Sequence, residues 1–223
     1  MTDNKKSISR KIKDFIWLIL RKINLGGAVQ LMINGGLLED GWYKSYNSKT
    51  AIDKAGNPIP WCTYPYIKFI EPRLKKTSNV FEFGCGNSTL WYAKRVGTIK
   101  SVEHDKNWFE YISTKLPINS KVVYCELVDG GDYSKEALIS GDKYNLIIVD
   151  GRDRVNCIRN SISALSDDGV LIFDNSDRPQ YKEGIDILFE NGFKKIDFIG
   201  LSPVTPHNNV TSVFYKTNNC LGI

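Results

Sequence analysis

From Val80 onward, strand-like and helix-like segments alternate without a break, and this alternation constrains the fold more than any other feature of the sequence. Such alternation is typical of a doubly wound α/β domain, in which helices cover both faces of a mostly parallel sheet. It predicts strands at 80–84, 98–103, 121–126, 144–150, 169–174, 194–200 and 209–216, and helices at 88–96, 106–116, 133–140, 153–165 and 182–191. No helical period separates the last two strands, so we expect a C-terminal antiparallel hairpin to close a seven-stranded sheet.

The 223 residues suffice for one full-sized domain, which we assign to 78–223, after an N-terminal extension at 1–33 and an aromatic-rich cap or lead-in segment at 34–77. In the extension, apolar residues recur at helical spacing and predict an amphipathic helix over 7–24, ended by the glycines at 26–27. We expect this helix to pack on the main domain. Docking to an anionic membrane surface or to a partner is the alternative.

The charge is unevenly distributed, because residues 1–22 hold seven Lys or Arg against two Asp. The remaining 201 residues carry 23 basic and 23 acidic side chains, and this balance argues against a nucleic-acid enzyme. The five cysteines are scattered and form no CxxC pair, which suits a reducing cytosol. We therefore predict a cytoplasmic protein, peripheral to the inner face of the membrane if the N-terminal helix docks there.

The first predicted strand runs into two glycines, Gly84 and Gly86, before the next helix. Such a turn lets a ligand approach the backbone and directs helix N–H groups at it. The second strand ends at Glu103, 19 residues after Gly84. An acid about 20 positions after the glycine turn can accept hydrogen bonds from both hydroxyls of a ribose. This corner therefore predicts a nucleotide-like ligand.

The segment Glu82-Phe83-Gly84-Cys85-Gly86 resembles the first motif of class I S-adenosylmethionine-dependent methyltransferases, and the resemblance extends over about 78–216. It implies a Rossmann-like methyltransferase fold, with S-adenosylmethionine as the cofactor and with Asp129 or Asp132 holding the adenine. The residues that the resemblance assigns to cofactor binding are Glu82, Gly84, Cys85, Gly86, Asn87, Ser88, Glu103, His104, Asp129, Asp132 and Asp150.

Polar residues end the fourth and fifth strands, where ligands bind in open α/β sheets. Asp150, Asp174 and Asn175 are similar to the metal site of catechol O-methyltransferase and of macrocin-type sugar O-methyltransferases. This likeness implies Mg²⁺ on these three residues and O-methylation of a sugar or small hydroxylated metabolite. In metal-free relatives the same acids contact cofactor or substrate. Asp150 or His207, in the predicted loop 203–209, is our candidate general base.

Two further groups of side chains bear on the acceptor. Four arginines after the fourth and fifth strands favour an anionic acceptor such as an acidic or phosphate-bearing sugar, although ordinary salt bridges would also account for them: Arg152, Arg154, Arg159 and Arg178. Six aromatic residues before the domain either stack on a sugar or aromatic ring or belong to the core: Trp42, Tyr43, Tyr46, Trp61, Tyr64 and Tyr66.

Three rival functions remain open. An aminopropyltransferase would use decarboxylated S-adenosylmethionine, but its polyamine acceptor needs an acidic pocket rather than one with four arginines. A catalytically inactive adaptor would keep the cofactor residues and dock through its N-terminal helix. A nicotinamide dehydrogenase is disfavoured, because Thr89 stands where its third glycine would be.

Overall fold

A computed structural model describes residues 2–223, with side chains from Ile8 onward. It contains one sheet of seven strands, in the order β3-β2-β1-β4-β5-β7-β6. The strands are β1 (Asn79–Phe83), β2 (Thr98–Glu103), β3 (Ser120–Tyr124), β4 (Tyr144–Val149), β5 (Leu165–Asp174), β6 (Lys194–Ser202) and β7 (Thr205–Tyr215). The first five pair in parallel, while β7 is antiparallel to both β5 and β6. The predicted α/β class and closing hairpin are thus confirmed.

Ten α-helices accompany the sheet in the described part of the chain. They are α1 (Thr2–Lys22), α2 (Gly26–Ile33), α3 (Gly36–Glu39), α4 (Trp42–Ser48), α5 (Tyr64–Ile70), α6 (Asn87–Ala93), α7 (Lys106–Ser113), α8 (Asp132–Ile139), α9 (Arg154–Ser161) and α10 (Lys182–Glu190). Those from α6 onward fall where the sequence predicts helices, although α9 ends four residues early and passes through a 3₁₀ turn into β5.

Two apolar cores lie on opposite faces of the sheet, because neighbouring residues of a strand point to opposite sides. Along β1, Val80 joins the core beneath α5 and α6, whereas Phe81 and Phe83 join the core beneath α8, α9 and α10. Both faces are therefore covered, as expected for central parallel strands. The carboxyl ends of β1, β2, β4 and β5 then meet at one edge of the sheet, and this edge carries the candidate site.

The N-terminal helix differs from our prediction in its end and in its packing. It ends at Lys22, Asn24 takes a left-handed conformation, and Gly26 begins α2 instead of terminating α1. Its main contact is with α2, and Phe15 and Ile19, on its apolar face, are 63% and 43% exposed. The expectation that this face packs on the main domain is therefore wrong for the described residues.

Candidate active site

The glycine turn after β1 brings two strand ends unusually close together. Gly84 has φ +88°, and a Cβ there would lie 3.2 Å from the Cα of Gly151, the second residue after β4. A Cβ on Gly151 would in turn lie 2.1 Å from the hydroxyl oxygen of Tyr133. Neither position accepts a side chain without displacing its neighbours. The close approach of the two backbones forms the floor of a cavity at the sheet edge.

This cavity has a volume of about 520 Å³, within the ~300–1,000 Å³ usual for small-ligand sites. Seven of the predicted cofactor residues line it, and so do the predicted metal and base residues. The lining consists of Trp61, Glu82, Phe83, Gly84, Cys85, Ser88, Glu103, His104, Asp150, Gly151, Arg152, Arg154, Asp174, Asn175, Arg178, Ser202, Thr205, His207 and Asn209. Residues from β1, β2, β4, β5 and the C-terminal hairpin thus converge on one space.

Glu103, at the end of β2, is held firmly at the cavity wall. Its side chain is buried, and its Oε1 accepts the backbone N–H groups of His104 and Asp105, both at 2.8 Å. Oε2 accepts the backbone N–H of Cys85 at 3.3 Å. A carboxylate offers about four acceptor positions, so three backbone donors orient it while leaving capacity for a ligand. The geometry suits an acid that accepts hydrogen bonds from ribose hydroxyls.

His104 is part of the same corner but is not well hydrogen-bonded. Its Nδ1 lies 2.9 Å from Glu103 Oε1, yet the angle does not satisfy a hydrogen bond, and the atom is buried. The ring packs edge-on to Tyr133, with 6.0 Å between ring centroids. His104 therefore shapes the wall of the cavity beside Glu103.

Glu82, in β1, is a buried acid beneath the glycine turn. Its Oε2 accepts hydrogen bonds from the hydroxyl groups of Thr89 and, at 3.3 Å, of Ser101. Burial raises the pKa of Glu82 to about 7, against the opposing effect of these hydroxyl donors. A cationic ligand group beside Glu82 would favour its ionised form. Thr89 and Ser101 are supporting residues that the motif alone does not indicate.

The helix after the glycine turn is stabilised by a side chain of its own first turn. Helix α6 begins at Asn87, so Ser88 and Thr89 are within its first turn, and Thr89 Oγ1 accepts the backbone N–H of Gly86 at 2.9 Å. The Asn87 side chain donates to Ala51 O at 2.8 Å, away from the cavity. Gly86 and Asn87 therefore do not line the cavity.

Trp108, in α7, also belongs to this corner, although no sequence motif points to it. Its indole N–H donates to the backbone oxygen of Cys85 at 2.8 Å, and its ring lies over Gly86. A Cβ at Gly86 would lie 3.6 Å from the ring. A single tryptophan carries no sequence pattern that reveals such a contact, because it follows from how α7 lies over the turn.

The two acids predicted for the adenine end lie outside the cavity lining. Asp129 is exposed and accepts a hydrogen bond from the Asn156 side chain at 3.2 Å, while Asp132 is exposed at the first position of α8. Their loop is anchored by Asp153, whose Oδ2 accepts the Gly130 N–H at 2.9 Å. The choice between Asp129 and Asp132 stays open.

The carboxyl ends of β4 and β5 are joined by the buried guanidinium group of Arg154. It donates to Asp150 Oδ1 at 3.0 Å, to Asn175 Oδ1 at 3.4 Å and to the backbone oxygens of Asp150, Gly151 and Asp174. Because the planar guanidinium fork offers five donors, a single side chain satisfies all of these oxygens. The cation at the centre of this cluster is thus an arginine.

This arrangement does not fit the Mg²⁺ site that the sequence implied at Asp150, Asp174 and Asn175. Mg²⁺ needs oxygens at about 2.1 Å in octahedral geometry, but Asp150 Oδ1 and Asn175 Oδ1 both face Arg154. The Asp174 carboxylate instead accepts the Thr211 hydroxyl at 2.6 Å. Among residues 8–223, no group of three or more His, Cys, Asp or Glu side chains is arranged to hold a metal ion.

Asp174 and Asp150 lie at the ends of neighbouring strands, close enough for the charge of Asp150 to act on Asp174. Burial and the nearby charge of Asp150 raise the pKa of Asp174 to about 8. Burial also raises the pKa of Asp150, although the positive charge of Arg154 opposes this effect. The pair can therefore hold a proton near neutral pH.

His207 lies in β7 and not in a loop, because β6 and β7 are joined by a turn of only two residues, Pro203 and Val204. The His207 side chain is exposed but lines the cavity. The turn is fixed from the cap segment, since the indole N–H of Trp42 donates to Thr205 O and that of Trp61 to Thr205 Oγ1, at 3.0 and 3.1 Å.

The six aromatic residues of the cap segment were expected either to stack on a bound ring or to belong to the core, and the structure contains examples of both positions. Tyr64 and Tyr66 are buried in the core, whereas Trp61 is 48% exposed and lines the cavity. Trp42 stacks on Tyr46, with 5.0 Å between ring centroids, outside the cavity lining. Trp61 is thus the one member of this group that a bound acceptor can reach in the described structure.

The four arginines after the fourth and fifth strands occupy different environments. Arg154 is buried among strand-end oxygens, and Arg159 pairs with Glu183 on the surface. Arg152 and Arg178 line the cavity with exposed side chains, and within residues 8–223 neither forms a salt bridge. Two positive groups therefore face the cavity without a carboxylate partner.

Solved structures of similar fold were found by structural comparison. A precorrin-6y C5,15-methyltransferase from Geobacter metallireducens superposes with a TM-score of 0.55 at 14% identity, over 77% of this chain and 97% of its own. A precorrin 8w decarboxylase from Methanobacterium thermoautotrophicum gives 0.50 at 16% identity, over 76% and 97%. An rRNA methylase from Streptococcus thermophilus gives 0.50 at 13% identity, over 69% and 97%.

These likenesses, at identities below one fifth, establish the fold. No protein-family model matches the chain, and no curated protein sequence matches it. The chain has the class I methyltransferase fold, and the position of its cavity at the carboxyl edge of the sheet is the usual one for ligands in such folds.

Proposed function

We propose that this protein is an S-adenosylmethionine-dependent methyltransferase that O-methylates a small hydroxylated acceptor, such as a sugar. The observation that carries the proposal is the cavity bounded by the Gly84 turn and by the oriented carboxylate of Glu103. The fold shared with methyltransferases supports the same activity.

The residues of this corner suit each part of the cofactor. Glu103 would accept hydrogen bonds from the ribose hydroxyls, since three backbone donors already fix its direction. Glu82, buried beneath the turn and lining the cavity, would pair with the ammonium group of the methionyl portion. Close approach of the ligand to the backbone is allowed at Gly84, which has no side chain. When bound, the cofactor would supply a methyl group on a cationic sulfur.

At the other end of the cavity, this chain's residues would position the acceptor and remove its proton. Arg154 holds the ends of β4 and β5 together, so that Asp150 and Asp174 present one fixed pair of carboxyl groups. We infer that Asp150, whose carboxylate faces the positive charge of Arg154, receives the proton of the acceptor hydroxyl, while Asp174 beside it holds its own proton near neutral pH. The exposed His207 would then contact the acceptor from the hairpin side of the cavity.

The acceptor itself is proposed to be anionic. Arg152 and Arg178 offer guanidinium forks that no carboxylate of residues 8–223 occupies, and both line the cavity. Such forks bind carboxylate or phosphate in bidentate fashion. Trp61 adds an exposed aromatic face, on which a sugar or aromatic ring can stack. An acidic or phosphate-bearing sugar would satisfy all three residues.

Calorimetric titration of the full chain tests the cofactor proposal. We expect S-adenosylmethionine to bind. Decarboxylated S-adenosylmethionine should bind more weakly, because it lacks the carboxylate that the backbone N–H groups of the glycine turn would meet, and NAD should bind far more weakly, because it has no ammonium group to pair with Glu82. Tighter binding of the decarboxylated compound would favour an aminopropyltransferase instead. If none of the three binds, the methyltransferase proposal fails.

Turnover with candidate acceptors tests the reaction class. Methyl transfer to uronic acids, sugar phosphates and their neutral counterparts can be followed by formation of S-adenosylhomocysteine. We expect turnover with at least one anionic hydroxylated compound. Cofactor binding without turnover on any acceptor of this class would favour the inactive adaptor.

A further inference from the structure

Helix α1 presents an apolar face that no other part of the described chain covers. Seven large apolar side chains on α1 and just after it are between 43% and 63% exposed: Ile8, Ile12, Phe15, Ile16, Leu18, Ile19 and Ile23. Four more follow in and just before α2: Leu25, Leu31, Met32 and Ile33. A contiguous run of this kind is unlike the singly scattered apolar residues of an ordinary surface and marks an interaction site.

The N-terminal segment that contains α1 carries the excess positive charge of the whole chain. Residues 1–22 have seven basic and two acidic side chains, while the rest of the chain is balanced. At about 100° per residue, Lys11 and Lys22 lie along one edge of the apolar face and Lys13 along the other. All three are exposed, and within residues 8–223 none forms a salt bridge.

We propose that α1 and α2 dock in the plane of an anionic lipid surface. A helix that lies in a membrane interface has one apolar face, which enters the acyl boundary, and basic residues at its edges, which remain among anionic headgroups. α1 has both features. No helix in the described part of the chain is long and apolar enough to cross a bilayer, so the contact is in the plane of the surface.

The charge of α1 favours an anionic lipid surface over a second copy of the chain as the partner of this apolar face. Pairing two α1 helices through their apolar faces would bring Lys11, Lys13 and Lys22 of both copies to the rim of one interface. Like charges so placed oppose association. An anionic surface removes this repulsion, and the same lysines then add to binding.

Sedimentation of the full chain with vesicles tests the proposal. The vesicles are phosphatidylcholine alone and phosphatidylcholine with about one third phosphatidylglycerol. We expect binding to the anionic vesicles only, and we expect it to weaken as salt is added. Lys11→Gln, Lys13→Gln and Lys22→Gln together should weaken binding about a hundredfold, since each basic residue near the surface contributes about fivefold.

Matched variants on the body provide the controls. Lys54→Gln, Lys121→Gln and Lys135→Gln remove the same charge from exposed sites outside α1 and should leave binding unchanged. Phe15→Gln with Ile19→Gln should abolish binding, whereas Ile118→Gln with Ile199→Gln changes exposed apolar residues of the sheet domain and should not. Thermal unfolding verifies that each variant is folded.

Four outcomes would overturn the proposal. With vesicles, these are equal binding to both kinds, binding to neither, and the same loss of binding in both members of a matched pair of variants. In analytical ultracentrifugation, the fourth is a stable dimer that Phe15→Gln with Ile19→Gln dissociates. The last result would mean that a second copy covers this face.

Discussion

Replacement of Glu103 is the most direct test of the proposed ribose-binding position. The carboxylate is buried and fixed by the backbone N–H groups of Cys85, His104 and Asp105, so a ligand meets it in one orientation. A ribose hydroxyl can donate to the acceptor position that remains, and a hydrogen bond to a charged group contributes about 1.5–3 kcal/mol. Allowing for exchange with water, we expect Glu103→Ala to cost about 2–3 kcal/mol of cofactor affinity.

This loss corresponds to a dissociation constant for S-adenosylmethionine raised about 30- to 150-fold in calorimetry. Glu103→Gln keeps one carbonyl oxygen as an acceptor, and its affinity for S-adenosylmethionine should fall about tenfold. Glu110→Gln, an exposed acid in α7 with the same charge change, is the matched control and should bind as the parent does. Because Glu103 also holds three backbone N–H groups, thermal unfolding must verify that each variant is folded. A folded Glu103→Ala protein with unchanged affinity would refute the assignment of the ribose position.

Four further predictions follow from the same site. Glu82 has a pKa of about 7 and is neutral below it, so cofactor affinity should rise as pH increases through about 7, by up to about tenfold per unit, and Glu82→Gln should flatten this profile in calorimetry. Arg154→Ala leaves the partly buried carboxylate of Asp150 and three backbone oxygens without their donor, and should lower the free energy of unfolding in urea by about 3–5 kcal/mol. Arg152→Gln with Arg178→Gln should raise KM for an anionic acceptor about tenfold or more, with Arg159→Gln, an arginine outside the cavity lining, unchanged. EDTA should leave the initial rate unaltered, because two of the three expected metal ligands, Asp150 Oδ1 and Asn175 Oδ1, accept hydrogen bonds from Arg154; lost activity that Mg²⁺ restores would contradict this interpretation.

The apolar runs determined the strands well, because the central strands are covered on both faces and are continuously apolar. The exceptions are β5 and β7, which each begin four residues before the predicted start; β5 begins at Leu165 although its apolar run starts later. Ser166 donates to Tyr144 O at 3.1 Å, and Asp168 accepts from the Asn145 side chain at 3.1 Å. Polar residues thus extend the strand through side-chain hydrogen bonds, which hydrophobic period does not reveal.

The N-terminal helix illustrates a second limit of sequence patterns. Its period predicted a helix with an apolar face, and residues 2–22 form that helix. The pattern is the same whether the face meets a protein core or a membrane, because both environments select apolar residues. Only the structure shows that the main domain leaves the apolar side chains between Ile8 and Ile23 exposed.

By itself, the sequence determined the order of the strands and helices, because each element depends on residues that are neighbours in the chain. It also determined the pairing of the glycine turn at Gly84 with Glu103, because the two lie at the ends of consecutive strands. Gly84 and Glu103 meet because β1 and β2 are adjacent and parallel. The tertiary structure decided the reaction end, where oxygens from β4, β5 and β7 converge. The sequence alone does not predict whether the side chain of Arg154 points to solvent or into the protein. Its burial among oxygens of two strand ends depends on packing that no local spacing encodes.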